Sequence, residues 1–200
     1  ERDAMGRIVY EAEGDSAGLP RTVGDGNTVK VGNANPVFSL SWGNTFSYKG
    51  MSLSVLLDCR YGGRLLSQTM ADLDSYGAAT ADARDRGCVM LEGQRIDDVK
   101  GFYKLVAGRA GVTEYYMYDA TNIRLRELAV SYALPQRLMR RTRVFSGMTV
   151  SLVARNLFFI YNAAPFDPDL VLSTGNDNQG IDVYGMPTVR SIGFNIKLEF

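Results

Sequence analysis

Histidine is absent from all 200 residues. That removes Ser-His-Asp hydrolases, Cys-His proteases and histidine-ligated zinc or haem together, and leaves any catalysis to carboxylates, lysine or tyrosine. Cysteine is scarce. Cys59 and Cys88 lie 29 residues apart with no CxxC spacing, which disfavours metal ligation by thiolates and reads as two free thiols. Net charge is also missing, because 22 Lys and Arg balance 22 Asp and Glu. No field therefore draws the chain to nucleic acid or to an acidic partner, and no basic block is interleaved with aromatics. Long apolar runs are lacking as well. The longest, Leu157 to Tyr161, has five residues, against the ~20 that a membrane-spanning helix needs. A helical membrane protein is excluded, but a β-barrel is not, because its strands alternate and keep mean hydropathy near neutral. The chain opens on Glu1-Arg2-Asp3, without an initiator methionine, basic n-region or apolar h-region, and is expected to be a fragment or a trimmed chain. No cofactor and no metal are expected.

What is present is alternation. Phe38, Leu40, Trp42, Phe46 and Tyr48 share one parity, while Ser39, Ser41, Gly43, Thr45 and Ser47 take the other. That is period two, with one face aromatic and the other small and hydroxylated. Lys49-Gly50 is a turn of hairpin length. The next run puts Met51, Leu53, Val55, Leu57, Cys59 and Tyr61 on one face, against Ser52, Ser54, Leu56, Asp58 and Arg60. A third run carries Leu128, Val130, Tyr132 and Leu134 in one register, whereas Ile123 and Leu125 take the opposite parity, so a bulge or a parity switch is expected near Glu127. Residues 136–140 can form one helical turn. A fourth run alternates Met148, Val150, Leu152 and Ala154 with polar or small residues, and the last alternates Ile192, Phe194, Ile196, Leu198 and Phe200 with Ser191, Gly193, Asn195, Lys197 and Glu199.

The expected strands are about 37–48, 51–61, 122–134, 147–160 and 189–200. Sandwich strands usually run ~5–6 residues, whereas ~9–11 tilted residues span a bilayer. Aromatics at strand ends fit the interfacial girdles of an outer-membrane barrel, and the apolar faces of the unambiguous strands hold no charge. The connections 1–36, 62–121 and 161–188 are long, polar and glycine-rich, and are expected to be external loops. A soluble carbohydrate-binding β-sandwich is the alternative of a different class; it needs the apolar faces buried between two sheets.

Several motifs lead to one family. Gly32-Asn33-Ala34-Asn35-Pro36 precedes the first strand, followed by Tyr48-Lys49-Gly50 and Tyr61-Gly62-Gly63. Further on stand Asn122-Ile123-Arg124-Leu125-Arg126-Glu127-Leu128, Ser131-Tyr132, Leu134-Pro135, Ala154-Arg155-Asn156-Leu157-Phe158 and Phe166-Asp167-Pro168-Asp169. In order and spacing the set resembles the C-terminal part of SusC/RagA-type TonB-dependent outer-membrane transporters. The resemblance implies an all-β, antiparallel transmembrane β-barrel of 22 strands, of which this chain holds about the last five. It also implies a plug domain elsewhere, a TonB complex acting through it, a SusD-like surface lipoprotein as lid, and an oligosaccharide or peptide as cargo. It places the protein in the cell outer membrane, against outer-membrane lipid. Phe194, Ile196, Leu198 and Phe200 resemble the signal read by the barrel assembly machinery. A siderophore or vitamin receptor without a lid is the alternative within this architecture.

Other candidates are weighed against plainer readings. Asp167-Pro168-Asp169 reads first as a turn and second as a calcium or sugar contact. Asp72 with Asp74, and Asp97 with Asp98, read as solvated loop residues rather than a glycosidase pair. Tyr115, Tyr116 and Tyr118 suit either sugar stacking or packing. Arg124, Arg126 and Arg155 are expected to pair with Asp58, Glu127 and other wall acids before touching substrate. Gly24-Asp25-Gly26 and Gly175-Asn176-Asp177 lack the strand-to-helix context of a phosphate loop. No enzyme activity is expected. With the apolar residues assigned to outward faces, no conventional core is expected either.

Overall fold

The computed structural model describes residues 1–23, 30–77, 87–107, 114–139, 144–170, 172 and 178–200. In chain order the strands are β1 (Phe38–Tyr48), β2 (Met51–Tyr61), β3 (Arg64–Ser67), β4 (Val89–Leu91), β5 (Gln94–Ile96), β6 (Met117–Asp119), β7 (Asn122–Ala133), β8 (Gly147–Asn162), β9 (Ile181–Asp182) and β10 (Ser191–Glu199). The helices are α1 (Gln68–Ser75), α2 (Val99–Ala107) and the single turn α3 (Gln136–Met139). These elements form two compact units, each assembled from three separated stretches.

One unit comprises 35–63, 119–170 and 186–200 and contains a five-stranded antiparallel sheet in the order β1-β2-β7-β8-β10. Register follows from period two. Trp42 stands opposite Leu57 and Phe46 opposite Leu53, Leu53 opposite Val130, Val130 opposite Leu152, and Leu152 opposite Phe194. One apolar row thus crosses the whole sheet. The parity change in β7 is a bulge: Leu56 pairs with Glu127 and Leu57 with Leu125, so Arg126 is the extra residue. Opening the ladder there returns Ile123 and Leu125 to the apolar face. In the β1–β2 turn Lys49 and Gly50 have φ of 47° and 84°, the two left-handed residues of a type I′ hairpin. A Cβ on Gly50 would stand 3.0 Å from the Ala133 carbonyl oxygen. Gly50→Ala should therefore destabilise this edge by about 1 kcal/mol or more, seen as a lower urea midpoint of the folded full-length protein.

Strand ends differ from expectation by one residue at Phe38, Ala133 and Glu199, and by two residues in two places. β8 runs on to Asn162, because Asn156 adopts φ 52° and takes up a register shift, after which the aromatic run 157–161 pairs with the start of β7. β10 begins at Ser191; Val189 lies off the ladder, its carbonyl accepting from Asn156 Nδ2 at 3.4 Å.

The second unit, residues 1–34, 64–118 and 171–185, corrects the reading of the long connections as plain loops and of the chain as coreless. It contains a three-stranded sheet, β6-β3-β9, and the β4–β5 hairpin. Leu19, Ala71, Val89, Ile96, Phe102, Val106 and Tyr116 lie in one buried cluster, with Tyr10, Leu66, Met70 and Tyr115 packed against it. α2 builds half of that cluster. Val99, Phe102, Tyr103, Val106 and Ala107 are buried at i, i+3, i+4, i+7 and i+8, the stripe of an amphipathic helix. Asp98 caps it, its Oδ1 accepting from the Gly101 amide at 2.9 Å. Ser67 caps α1, its Oγ accepting from the Met70 amide at 3.1 Å.

Candidate functional site

The sheet has two unlike faces. On one, Phe38, Leu40, Trp42, Phe46, Tyr48, Leu152, Ile192, Phe194 and Ile196 are exposed large apolar residues, from Ile196 at 47 % to Ile192 at 74 %. A continuous field of exposed large apolar residues on one face of a sheet marks contact with lipid or protein. It is also not buried between two sheets, which is what the sandwich alternative requires. Phe194, Ile196 and Leu198 lie on this face of β10 opposite Leu152, Val150 and Met148. Phe200, one residue past the strand, packs its ring 5.3 Å from Phe145.

The opposite face carries the polar chemistry. Ser41 Oγ donates to Asp58 Oδ1 at 2.7 Å, and Arg126 donates to Asp58 Oδ2 at 2.5 Å from Nη2 and 3.2 Å from Nε. Arg126 Nη1 also reaches Asp169 Oδ2 at 3.2 Å. Arg155 Nε donates to Glu127 Oε2 at 2.8 Å across the β7–β8 ladder. The bulge matters for this arrangement, because it keeps Arg124, Arg126 and Glu127 on the polar side despite their spacing. Beside Glu127 a shallow depression of about 240 Å³ is lined by Gly43, Thr45, Ser54 and Leu56. Its floor exists because Gly43 offers no side chain above Leu56.

Arg124 forms the centre of a buried knot. Its side chain is 2 % exposed, and Nη2 lies 3.0 Å from Asp167 Oδ1 and 2.9 Å from Asp169 Oδ2. Its guanidinium carbon stands 4.4 Å from the Phe159 ring centroid, a cation–π contact. Asp167 is 6 % exposed on its side chain. It accepts from the Asp169 amide at 3.1 Å, from the Thr188 amide at 3.1 Å and from Thr188 Oγ1. Burial alone would raise the Asp167 pKa, but the Thr188 hydroxyl, the two amides and the Arg124 charge outweigh it, and the group is held below the ordinary carboxylate range. The Asp-Pro-Asp turn reading is therefore correct locally. The turn also brings two carboxylates onto arginines that precede them by 43 residues, for which the sequence carries no local signal.

In the second unit the tyrosines pack inside. Tyr116 is fully buried and its hydroxyl donates to Asp74 Oδ2 at 3.1 Å. Tyr115 stands edge-on to Phe102 and Tyr116. Burial, then the neighbouring Asp74 charge, pushes the Tyr116 pKa far up; burial and Tyr103 do the same for Tyr115. Asp72 and Asp74 are corrected from solvated loop to helix α1, where Asp74 is 2 % exposed. The helix buries Asp74 on the face that packs under Tyr116. Asp97 pairs with Arg95 at 2.7 Å, and Asp98 is the α2 cap. Cys59 and Cys88 are free thiols. The motifs 24–26 and 175–177 lie outside the described residues. Tyr116→Phe removes a bond to a buried carboxylate and should cost about 1–3 kcal/mol, measured as faster cleavage of this unit by added protease in the purified full-length protein.

No protein-family model matches the chain. It is 25 % identical over 175 residues to a TonB-dependent receptor, P3, of Formosa agariphila, covering 85 % of this chain and 17 % of that protein. Among solved structures it is similar to the RagAB peptide importer in its closed-closed state, with TM-score 0.62 and 19 % identity, over 100 % of this chain and 20 % of that one. The open-open state of the same importer gives TM-score 0.58 at 20 % identity, over 84 % of this chain and 17 % of that one. The chain thus spans about a sixth of the curated relative it matches.

Proposed function

We propose that this chain, a segment of a SusC/RagA-type TonB-dependent receptor, forms wall and external loops of an outer-membrane importer of oligosaccharide or peptide. The observation that carries the reading is the division of the five-stranded sheet. One face is exposed and apolar across every strand, while the other holds the Asp58, Arg124, Arg126, Glu127 and Arg155 pairings. A wall between hydrocarbon and a polar interior requires this division, since a charge facing mid-bilayer costs roughly 2–4 kcal/mol. Strands of eleven residues, tilted by about 40°, rise about 25 Å and match the apolar band of such barrels.

In this reading further strands of the receptor pair with the free edges of β1 and β10 and close a 22-stranded barrel, because an open edge in lipid leaves backbone groups unsatisfied at several kcal/mol each. The second unit is external and meets a SusD-like surface lipoprotein, and the TonB complex supplies energy through a plug. Phe194, Ile196, Leu198 and Phe200 serve as the assembly signal. The test is uptake of labelled oligosaccharides and peptides by cells lacking the receptor or lacking TonB. Both strains should lose the same cargo; uptake of every probe at the parental rate in both would overturn the proposal.

A further inference from the structure

The hairpin between β1 and β2 carries a residue that its turn does not favour. A type I′ turn prefers asparagine, aspartate or glycine at its first central position, yet here a lysine, Lys49, holds φ 47°. That conformation is uncommon for such a side chain. What lysine adds at this point is its ammonium group, and its surroundings are aromatic. Lys49 Nζ stands 5.0 Å from the centroid of the Tyr48 ring, a cation–π contact that keeps the charge beside the apolar face, where Tyr48 lies. Tyr132 joins from β7. Its ring lies 3.8 Å from the place that a Cβ on Gly50 would take, and the Gly50 carbonyl accepts from the Ala133 amide at 2.7 Å. Met51 stands opposite both tyrosines in register, and Tyr48 is 72 % and Tyr132 42 % exposed. One ammonium and two phenols thus share the rim of the apolar face at this end of the sheet.

The charge of the rim selects the ligand. Residues 38–57 and 128–154 contain no aspartate or glutamate, and the connection from β7 to β8, which leaves and re-enters the sheet at this end, adds Arg137, Arg140, Arg141 and Arg143. Glu199, at the same end of β10, lies on the opposite face and is paired with Lys197 at 2.8 Å. A cation beside exposed rings at the edge of a lipid-facing band meets the headgroup layer, where the anionic group is a phosphate diester. We propose that Lys49, Tyr48 and Tyr132 form a docking site for the headgroup of an anionic phospholipid. The ammonium pairs with the phosphate, the phenol hydroxyls donate to its oxygens, and Met51 packs on the first carbons of the acyl chains. A choline headgroup brings its own cation, which a positive rim repels; a glycerol headgroup does not. The inference rests on the reading of this sheet as a membrane wall.

The experiment places the full-length protein in phosphatidylcholine vesicles doped with phosphatidylglycerol or phosphatidylcholine that carries a diazirine near the headgroup end of an acyl chain. Peptides labelled on irradiation are mapped by mass spectrometry. The peptide with residues 48–51 should be labelled roughly fivefold more by the anionic probe, the preference expected of one basic residue near the surface, and the excess should fall as salt rises. Lys49→Asn should lower the ratio by about that factor, while Lys49→Arg should keep it. Asparagine suits the left-handed turn position better than lysine, so the loss in K49N does not come from a damaged hairpin. Equal labelling by the two probes in the unaltered protein, or a preference that K49N leaves unchanged, overturns the inference. Inorganic phosphate should leave the ratio as it is in chloride of equal ionic strength; a preference that phosphate alone abolishes assigns the site to the free anion and overturns the lipid as occupant. Failure of the wall reading is a separate result, in which neither probe labels residues 48–51 or residues 53–57, and it overturns the inference with it.

Discussion

Placing arginine at Val55 should abolish most assembly of the receptor, whereas arginine at the adjacent Ser54 should leave it largely intact. The two residues neighbour each other in the middle of β2 and face opposite ways, because successive side chains in a strand alternate. Val55 stands opposite Asn44 on β1 and Leu128 on β7, on the apolar face of the sheet; Ser54 stands opposite Thr45 and Ala129. In the proposed wall Val55 lies near the bilayer midplane, where an outward arginine costs roughly 2–4 kcal/mol. At about 1.4 kcal/mol per factor of ten, that amounts to one and a half to three decades in the folding equilibrium. Ser54→Arg loses the 2.9 Å contact with the Thr45 hydroxyl, an exposed hydrogen bond worth about 1 kcal/mol. The folded fraction in isolated outer membranes, read from heat-modifiable gel mobility of the full-length receptor, should be near zero for V55R and near normal for S54R.

The second large effect belongs to the Arg124 knot. Asp167→Asn leaves a guanidinium whose side chain is 2 % exposed without the more buried of its two carboxylates. Removing one partner of a buried pair costs about 3–5 kcal/mol. Arg124→Met should cost as much, by leaving Asp167 with only hydroxyl and amide donors. The double variant Arg124→Met with Asp167→Asn should recover part of the loss, since the stranded charge is gone. Acidity provides an independent check. The Asp167 pKa is lowered in the fold, so its stabilisation is fully present above the ordinary carboxylate pKa and is lost as pH falls through the folded value. The difference in melting temperature between the unaltered receptor and D167N should therefore be constant at neutral pH and shrink below about pH 4. A difference independent of pH down to pH 2 would mean that Asp167 is not the ionised partner.

How legible this was in the sequence depends on the range of the physics involved. The alternation of 38–48 and 51–61 is strong because, in the proposed wall, two different media lie on the two faces, so each residue records its own environment. The β7 bulge left a local trace too, as a parity conflict between Leu125 and Leu128. The core of the second unit is different. It joins Leu19, Ala71, Val89, Phe102 and Tyr116 from separated short stretches, none of which can bury an apolar face alone. One signal was present, the helical stripe of Val99, Phe102, Tyr103, Val106 and Ala107, which a search for period 3.6 finds. The Arg124–Asp167–Thr188 knot had none, because ion pairing across 43 residues is set by where β8 returns the chain. Arginine pairing on the polar face is legible in kind, as in Arg126 with Asp58 and Arg155 with Glu127, whereas the partner of Arg124 is not.

The central claim is that β2 separates lipid from a polar interior. Nitroxide labels placed singly at residues 52 to 60 of the full-length receptor in bilayers, with the native thiols replaced, test it most directly. Accessibility to oxygen should peak at 53, 55, 57 and 59, and accessibility to a water-soluble nickel chelate at 52, 54, 56 and 58. Accessibility that does not alternate, or oxygen peaks on the even residues, would contradict the claim.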